Sequence, residues 1–343
     1  MRTSQLIEAA EKTSSGAPNI KWEYEYDLAG NRTSAVTTPA SGGQTIYHWA
    51  YNDANQIATQ HPVQHWAHDV NGNLTSTPTR TLAYNDREQF TAATNPTYSA
   101  TYLGVTNDER TAAQSAGNTL AYALSPLGLS RVSTSSIGVT AMTRLPNGEP
   151  VGIRYSNGNT LYLTLDHLGT PTATTTPLGQ EAATFAYDPY GQPRHTHPGL
   201  GVIGYAGGVE DPGGLIKFGA RYYDPHTGRF TQMDPAGQEN NPYAYAANNP
   251  VNYIDPTGTS AWAAATIFVE AIGGGFSVLD LIDVLTSSGG EQRRKAAELA
   301  VSFTVGTLCT AAVAAASVSS LGLTFALTLG CEGLATLAGE AVS

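Results

Sequence analysis

Charged side chains are scarce in this chain of 343 residues, where Asp, Glu, Lys and Arg together make up only 13% of the sequence. The 17 basic residues are scattered, apart from a cluster at 293–295, and the formal net charge is −11. A protein that binds the phosphates of DNA or RNA presents a clustered basic face. The composition therefore argues against a nucleic acid as the main partner.

Cysteine is almost absent as well, since Cys309 and Cys331 are the only two and both lie in a hydrophobic C-terminal stretch. They fit buried apolar residues, with a disulfide as the alternative, and so they do not fix the redox compartment. The N-terminal sequence lacks the apolar segment of a secretory signal peptide. We therefore expect any export to use a dedicated machine or a longer parent polypeptide.

The sequence contains no nucleophile elbow, phosphate-binding loop or Cys-x-x-Cys pair, and we expect no cofactor. His195 and His197 would share one face of a strand, but no third metal ligand is identifiable beside them. We interpret these two residues and His167 as surface histidines in turns, and we expect no metal site.

A degenerate repeat is the most regular feature of the N-terminal half, with its clearest copies beginning at Tyr26, Tyr51, His68 and Tyr84. Each copy has an aromatic or histidine followed by Asp or Asn, and most have Gly or Asn three positions later. Asp and Asn cap turns with their side chains, and Gly or Asn accepts positive φ, so each copy predicts a β-hairpin. One hairpin cannot bury its own aromatic face, so we expect neighbouring hairpins to pack side by side.

The repeats determine the predicted domain organisation. Further copies occur at 155–160 and 187–191, whereas residues 92–140 are polar, poorly periodic and predict irregular hairpins. Residues 1–17 predict a short helix or a disordered lead. We predict a mainly β fold in four parts: a lead at 1–20, repeat hairpins forming a curved or spiral β-shell at 21–217, a junction segment at 218–258, and a small α-helical hydrophobic region at 259–343.

The junction segment, residues 218–258, is dense in Asp-Pro and Asn-Pro steps and holds an Arg-Tyr-Tyr-Asp cluster at 221–224. Each of its carboxylates, taken alone, fits a turn former, because Asp caps turns and Pro fixes φ. Two carboxylates brought face to face could instead share one proton and hydrolyse a peptide bond, with one acting as acid while the other activates water. A nearby arginine could orient one of them.

The repeats resemble the tyrosine–aspartate (YD) repeats of the RHS family, which includes polymorphic toxins, the C subunits of bacterial ABC toxins and the shell of teneurins. Four motifs resemble the RHS repeat-associated core in their order along the chain: Asp-His-Leu-Gly-Thr at 166–170, Ala-Tyr-Asp-Pro-Tyr-Gly at 186–191, Arg-Tyr-Tyr-Asp-Pro at 221–225 and Asn-Pro-Val-Asn-Tyr-Ile-Asp-Pro-Thr-Gly at 249–258. The family shell is hollow and has many more repeats. We therefore expect the chain to be the C-terminal end of a longer polypeptide or a degenerate short copy.

The resemblance implies an aspartyl autoprotease that cuts its own chain just after the Asp-Pro-x-Gly motif. The matching positions are Asp234 and Asp255 as the acid–base pair and Arg221 as the residue that orients it. Scission would fall between Thr259 and Ser260. The family usually has leucine after the motif, and Thr259 fills a leucine-shaped pocket badly, which predicts cleavage that is slow, shifted or absent.

The C-terminal region is Ala-rich and has few charges outside a polar break at 288–298, which lies between the stretches 261–287 and 299–331. Both stretches are long enough to cross a bilayer, although their small residues insert weakly and the first carries acids. We consider three states: membrane-inserting helices, a buried helical cargo within an apolar cavity, or disorder.

Two functions of different classes follow from the sequence. The favoured one is the C-terminal part of a polymorphic toxin used in bacterial competition, secreted or at the cell surface. Its shell would enclose and release the chain's own C-terminal segment, with an immunity protein as a possible partner. The alternative is a cell-surface repeat protein without enzymatic activity, anchored by C-terminal helices and acting in adhesion or carbohydrate binding.

Overall fold

The protein is almost entirely antiparallel β-structure. The computed structural model describes residues 5–62, 64–94, 97–102, 110–115, 117–125, 128–135, 138–145, 148–195, 200, 203–211, 214–237, 240–259, 261–263, 315–318 and 323–326. Within these residues every regular element is a β-strand, apart from single 3-10 turns at Tyr205–Gly207 and Ala246–Asn248. The predicted mainly β fold is therefore confirmed.

The N-terminal strands form a six-stranded sheet and a separate pair, each strand pairing with its neighbour in sequence. The six strands are β1 (Glu8–Lys12), β2 (Pro18–Tyr26), β3 (Arg32–Pro39), β4 (Thr45–Tyr51), β5 (Ile57–His61) and β6 (Gln64–His65), and the pair is β7 (Ala67–His68) and β8 (Leu74–Ser76).

An eleven-stranded sheet follows in the order β9 to β19, again with sequence neighbours paired. Its strands are β9 (Leu82–Tyr84), β10 (Phe90–Ala93), β11 (Tyr98–Tyr102), β12 (Arg110–Ser115), β13 (Asn118–Ser125), β14 (Gly128–Thr134), β15 (Gly138–Arg144), β16 (Pro150–Tyr155), β17 (Thr160–Leu165), β18 (Pro171–Thr175) and β19 (Glu181–Thr184). Such a sequential meander is the topology that stacked hairpin repeats produce.

The remaining strands are short. A four-stranded sheet and two hairpin pairs contain β20 (Val209–Glu210), β21 (Ile216–Phe218), β22 (Arg221–Asp224), β23 (Arg229–Phe230), β24 (Tyr253–Ile254), β25 (Trp262–Ala263), β26 (Ala315–Val318) and β27 (Leu323–Ala326). The aromatic side chains of the junction segment pack around Tyr245, whose ring centroid lies 4.3 Å from that of Tyr223 and 5.3 Å from that of Phe218. These rings belong to a hydrophobic core that the junction segment shares with the preceding residues Leu168, Tyr205, Ala206 and Ile216.

Two predictions for the N-terminal half were wrong. The lead is neither helical nor disordered at 8–12, because β1 pairs with β2 and Ala9, opposite Trp22, packs in the cluster around that ring. The described part of residues 92–140 is not irregular: β11 to β15 continue the long sheet as paired antiparallel strands, with register shifts at Thr101/Tyr102 and Ala123/Leu124. Their buried positions mix Val132 with the small Ala113 and the charged Arg110, so the sequence shows little hydrophobic alternation there.

The prediction of an α-helical C-terminal region was also wrong for the residues of that region that the structure describes. Trp262–Ala263 pairs with Tyr253–Ile254, and Ala315–Val318 pairs with Leu323–Ala326, all as antiparallel strands. Both halves of the second hairpin contain β-branched or aromatic residues, which favour strands. The rest of the stretches 261–287 and 299–331, with both cysteines, lies outside the described residues. No helix in the described part of the chain has the length and apolarity needed to cross a membrane.

The hairpin turns of the repeat share one geometry, as predicted. The side-chain Oδ1 of the first turn residue accepts hydrogen bonds from the backbone N–H groups two and four positions later, at 2.8–3.1 Å. The residues that do so are Asp27, Asn52, Asp69, Asn85, Asp166 and Asp188. Asp and Asn serve equally well, because the turn needs only the side-chain oxygen.

The fourth residue of each of these turns has positive φ, and in four of them its carbonyl receives a side-chain hydrogen bond from the junction segment. The four positions are Gly30, Asn55, Gly72 and Glu88. Their donors, in the same order, are Asn248 (2.8 Å), Arg229 (2.6 Å), Tyr243 (2.7 Å) and Gln232 (2.6 Å). The junction segment therefore contacts four successive hairpins through one repeated contact and holds their turns in a row.

This contact predicts unequal costs for alanine at two turn glycines. Gly72 and Gly158 have similar φ values of 86° and 89°, which cost an alanine about 1–2 kcal/mol. A Cβ at Gly72 would lie 2.6 Å from the hydroxyl oxygen of Tyr243, whereas one at Gly158 meets nothing within 4 Å. We expect Gly72→Ala to lower the thermal unfolding midpoint clearly more than Gly158→Ala, because it also breaks the Tyr243 hydrogen bond. Equal midpoints would contradict this role of the contact.

Candidate functional site

The Asp-Pro-Thr-Gly motif at 255–258 forms another turn of the repeat type. Asp255 Oδ1 accepts the backbone N–H of Thr259 at 3.0 Å, the same four-residue contact as in the repeat turns. Gly258 has a φ of 66° and occupies the left-handed position. The local sequence therefore folds as a turn for the reasons that apply elsewhere in the chain, and its chemistry must come from what surrounds it.

The turn between β21 and β22 packs directly against this motif. The backbone N–H of Ala220 donates to the carbonyl of Thr257 at 2.8 Å. A Cβ on Gly258 would lie 2.5 Å from the carbonyl oxygen of Phe218, and one on Gly219 would lie 2.1 Å from the carbonyl oxygen of Thr257. Only glycine permits this approach of two backbones, which fixes the position of the 257–259 segment.

Arg221 connects the two backbones, and its side chain is only 1% exposed. Its Nη2 donates to Asp255 Oδ2 at 3.1 Å, its Nη1 donates to the carbonyl of Pro242 at 3.0 Å, and its Nε donates to the carbonyl of Gly258. The guanidinium carbon lies 3.5 Å from the ring centroid of Phe230. Arg221 is thus held by three acceptors and an aromatic ring, and it keeps the Asp255 carboxylate paired in an apolar surrounding.

One peptide group is held at both ends by this pair. The carbonyl oxygen of Gly258 accepts from Arg221, and the N–H of Thr259, in the same peptide group, donates to Asp255. The other carboxylate oxygen of Asp255 takes the Arg221 ion pair, and Asp255 is 1% exposed. Burial and the Asp255 charge raise the pKa of the neighbouring Tyr245 well above its ordinary value.

Asp234, the third predicted residue, is joined to the site through the main chain. Its backbone N–H donates to the carbonyl of Pro242 at 2.8 Å, the same oxygen that accepts from Arg221. Its Oδ1 accepts the N–H of Ala236 at 2.9 Å, so it also caps a turn. The structure therefore brings Arg221 and Asp255 into direct contact, and the acid–base pairing of Asp234 with Asp255 stays a prediction. Ser260, the far side of the predicted scissile bond, lies outside the described residues.

The histidines make ordinary backbone contacts where they are described. Nε2 of His167 lies 2.9 Å from the carbonyl oxygen of Val251, and Nε2 of His195 lies 3.2 Å from that of Thr184. His197 lies outside the described residues. Among the described residues, no group of three or more His, Cys, Asp or Glu side chains is arranged to hold a metal ion.

Two features of this region were not anticipated from the sequence. Thr257 occupies the variable position of the motif, yet its hydroxyl donates to Asp255 Oδ1 at 3.3 Å and lies 2.9 Å from the hydroxyl of Thr259. Arg110, in a part of the chain without clear periodicity, forms a buried ion pair with Asp211 and a 3.2 Å hydrogen bond to the Tyr222 hydroxyl. No local pattern marks either contact, because the partners come from distant or variable positions.

Residues 147–251 match the family model described as the teneurin YD-shell. This part of the chain is an RHS-type YD-shell repeat region. Two curated relatives extend the likeness. Salivary gland surface protein 1 of Aedes aegypti is 36% identical over 134 residues, which is 37% of this chain and 4% of that protein. The tRNA3(Ser)-specific nuclease WapA of Bacillus spizizenii is 28% identical over 256 residues, which is 70% of this chain and 11% of that protein.

A solved structure shows the same YD-shell fold. In the Tc holotoxin pore of Photorhabdus luminescens, with a TccC3 variant, a chain superposes with a TM-score of 0.56 at 19% identity. The match covers 73% of this chain and 14% of the other. This chain therefore spans only a small part of the length of the proteins that share its YD-shell region.

Removing the Arg221 charge should lower the free energy of unfolding far more than removing the charge of a partly exposed arginine. Arg221→Met leaves Asp255 buried without its ion pair, which costs about 3–5 kcal/mol. The control is Arg194→Met, because Arg194 pairs with Glu11 at the surface, where 24% and 40% of the two side chains are exposed and such pairs contribute about 0–1 kcal/mol. Urea unfolding of the two variants and the wild type measures the difference. Similar unfolding midpoints for the two variants would contradict the structural role of Arg221.

The YD-shell turn at 188–191 has the same Asp-Pro-x-Gly sequence but no comparable arginine pair, and burial raises the pKa of Asp188 to about 6. The folded state then binds the proton more tightly than the unfolded chain, so Asp188 lowers stability as the pH rises from about 4 to about 6. Asp188→Asn removes this effect and keeps the turn. Between about pH 4 and about pH 6, the thermal unfolding midpoint of the wild type should fall relative to that of Asp188→Asn. A constant difference would show that Asp188 does not titrate there.

Proposed function

We propose that the chain is the C-terminal part of a bacterial RHS-type polymorphic toxin, secreted or displayed at the cell surface. Its YD-shell would enclose the hydrophobic region that follows residue 259, and the junction segment would cut the chain at that border. Two comparisons support this proposal. The chain matches the WapA nuclease of Bacillus spizizenii in sequence across its YD-shell region, and it shares its fold with a chain of the Tc holotoxin.

The observation that carries the self-cleavage proposal is the peptide group between Gly258 and Thr259. Arg221 donates to its carbonyl oxygen and Asp255 accepts its N–H, and both side chains are buried. A cation that contacts a carbonyl oxygen stabilises the negative charge that develops there during hydrolysis. A buried carboxylate within hydrogen-bonding distance of the nitrogen can transfer the proton that the leaving amine needs.

The composition of the chain supports the division at this border. The region after residue 259 has Ala, Leu and Gly as its commonest residues and contains no Tyr or Asn, in contrast to the Tyr- and Asn-rich YD-shell. The junction segment also contacts four hairpin turns of the repeat region, and a cut after residue 258 or 259 would leave these four contacts in place. In the proposed function the released segment is the cargo, and an immunity protein is its proposed partner in the producing cell.

The test is the intact mass of the full chain under denaturing conditions, for the wild type beside Asp255→Asn and Asp188→Asn. Asn52 and Asn85 already form the same turn, so an amide at 255 keeps the turn acceptor while it removes the charge. It also leaves the buried Arg221 without its ion pair, so the thermal unfolding curve of Asp255→Asn is recorded beside the mass to show that the variant is folded. We expect a fragment that ends near residue 259 in the wild type and in the control Asp188→Asn, and an uncut chain in Asp255→Asn.

Two outcomes would contradict the proposal. Equal cutting in Asp255→Asn and the wild type would remove Asp255 from the chemistry. A wild type that stays whole after prolonged incubation would refute self-cleavage. It would favour a repeat protein of the cell surface without enzymatic activity, consistent with the name of the Aedes aegypti relative, salivary gland surface protein 1.

A further inference from the structure

The hydroxyl groups of Thr257 and Thr259 form a chain that ends on Asp255. Thr257 Oγ1 lies 3.3 Å from Asp255 Oδ1 and 2.9 Å from Thr259 Oγ1. An ionised carboxylate can only accept hydrogen bonds, so the single proton of Thr257 is directed at Asp255. Thr257 must then accept from Thr259. The direction of the chain is therefore fixed, and it leads the Thr259 proton towards a buried base.

The same Thr259 belongs to the peptide group that Arg221 and Asp255 hold. The carbonyl of Gly258, immediately before Thr259, is hydrogen-bonded by Arg221 Nε, and the Thr259 nitrogen lies 3.0 Å from Asp255 Oδ1. A threonine hydroxyl can close a five-membered ring onto the carbonyl carbon that precedes it in the chain. Nucleophile, base and a cationic donor to the oxygen are thus present at one bond, as nucleophilic catalysis requires.

We propose that Thr259 is the nucleophile of the self-cleavage reaction and that the bond cut is Gly258–Thr259, one residue before the bond that the family resemblance implies. This inference rests on the proposed self-cleavage. It also explains how a threonine can work where leucine is usual: the residue supplies a hydroxyl for the reaction in place of an apolar contact in a pocket.

The reaction proceeds in three steps. Thr259 Oγ1 loses its proton through Thr257 to Asp255 and bonds to the carbonyl carbon of Gly258, whose oxygen takes the electron pair beside Arg221. The carbon–nitrogen bond then breaks, and the nitrogen takes the proton from Asp255, which leaves an ester between Gly258 and the Thr259 side chain. Water hydrolyses this ester, giving a carboxylate on Gly258 and restoring the hydroxyl on a new N-terminal Thr259.

The surroundings fit such a step because they are buried and preorganised. Arg221 and Asp255 are each 1% exposed, and Gly258 is buried between them. Thr259 itself is half-buried, which leaves the ester accessible to water. The backbone of Gly258 lies so close to that of Phe218 and Arg221 that a Cβ there would clash with both, so the segment before Thr259 is closely packed.

The experiment locates the cut by mass and by the first residue of the C-terminal fragment, in the full chain and under denaturing conditions. We expect a wild-type fragment that begins at Thr259, comparable cutting in Thr259→Ser, and no cut at 258–259 in Thr259→Val, which has nearly the same shape. Thr257→Val should slow the reaction roughly 100-fold, the usual loss when proton transfer is impaired. Hydroxylamine attacks esters and should split part of the still-joined wild-type chain at 258–259. In Thr259→Val it should give no cut at that position, and only the three Asn-Gly bonds at 71–72, 147–148 and 157–158 should be cleaved, as in the wild type.

The outcomes separate this inference from the proposed function. A fragment that begins at Ser260, or unchanged cutting in Thr259→Val, would overturn the hydroxyl mechanism and leave self-cleavage standing. A wild type without any fragment would overturn both. A thermal unfolding curve for Thr259→Val that matches the wild type excludes misfolding as the cause of a lost cut.

Discussion

The side-chain oxygen of one Asp or Asn in each hairpin turn is the interaction on which the rest of the fold depends. It satisfies two backbone N–H groups and lets the fourth turn residue adopt positive φ, as at Asp27 and Gly30. The left-handed residue then points its carbonyl out of the hairpin. In four successive turns that carbonyl is the acceptor for the junction segment. The turn thus shapes each hairpin and also provides the attachment point that aligns it with the next.

Arginine is the second constraint, because the junction segment buries several of these side chains among aromatic rings. Arg221 lies over Phe230, Arg32 over Tyr190 at 4.3 Å, and Arg229 over Tyr243 at 4.7 Å. Each also donates to a backbone carbonyl, so its charge is compensated largely by rings and carbonyl dipoles. Arg221 differs from the other two because it also pairs with a carboxylate. A charge-poor chain therefore concentrates its few cations at the contacts that fix the junction segment.

Much of this structure can be predicted from the sequence wherever the signal is local. The spacing of Asp or Asn to Gly predicts the hairpin turns, and the Arg-Tyr-Tyr-Asp and Asp-Pro-Thr-Gly motifs point to Arg221 and Asp255. The strands at 92–140 are missed because their buried positions mix large apolar residues such as Val132 with the small Ala113 and the charged Arg110, which gives little contrast between the two faces. The role of Thr257 cannot be read from the sequence, because it arises when the 257–259 segment packs on the β21–β22 turn. The strand at 8–12 likewise depends on a partner, β2, and on the ring of Trp22.

The first residue of the repeat turn shows which side chain the fold requires and which one the proposed chemistry would require. Asn52 and Asn85 form the same turn as Asp27 and Asp69, so the fold accepts an amide wherever it needs only an oxygen acceptor. A carboxylate is needed where a second oxygen must balance a buried cation, and Asp255 meets that condition through Arg221. The same charge allows its first oxygen to receive a proton from the threonine hydroxyls, which an amide oxygen does far more weakly. The junction motif is therefore a turn of the repeat type whose carboxylate is surrounded by a buried arginine and two hydroxyl groups, and the proposed self-cleavage rests on this arrangement.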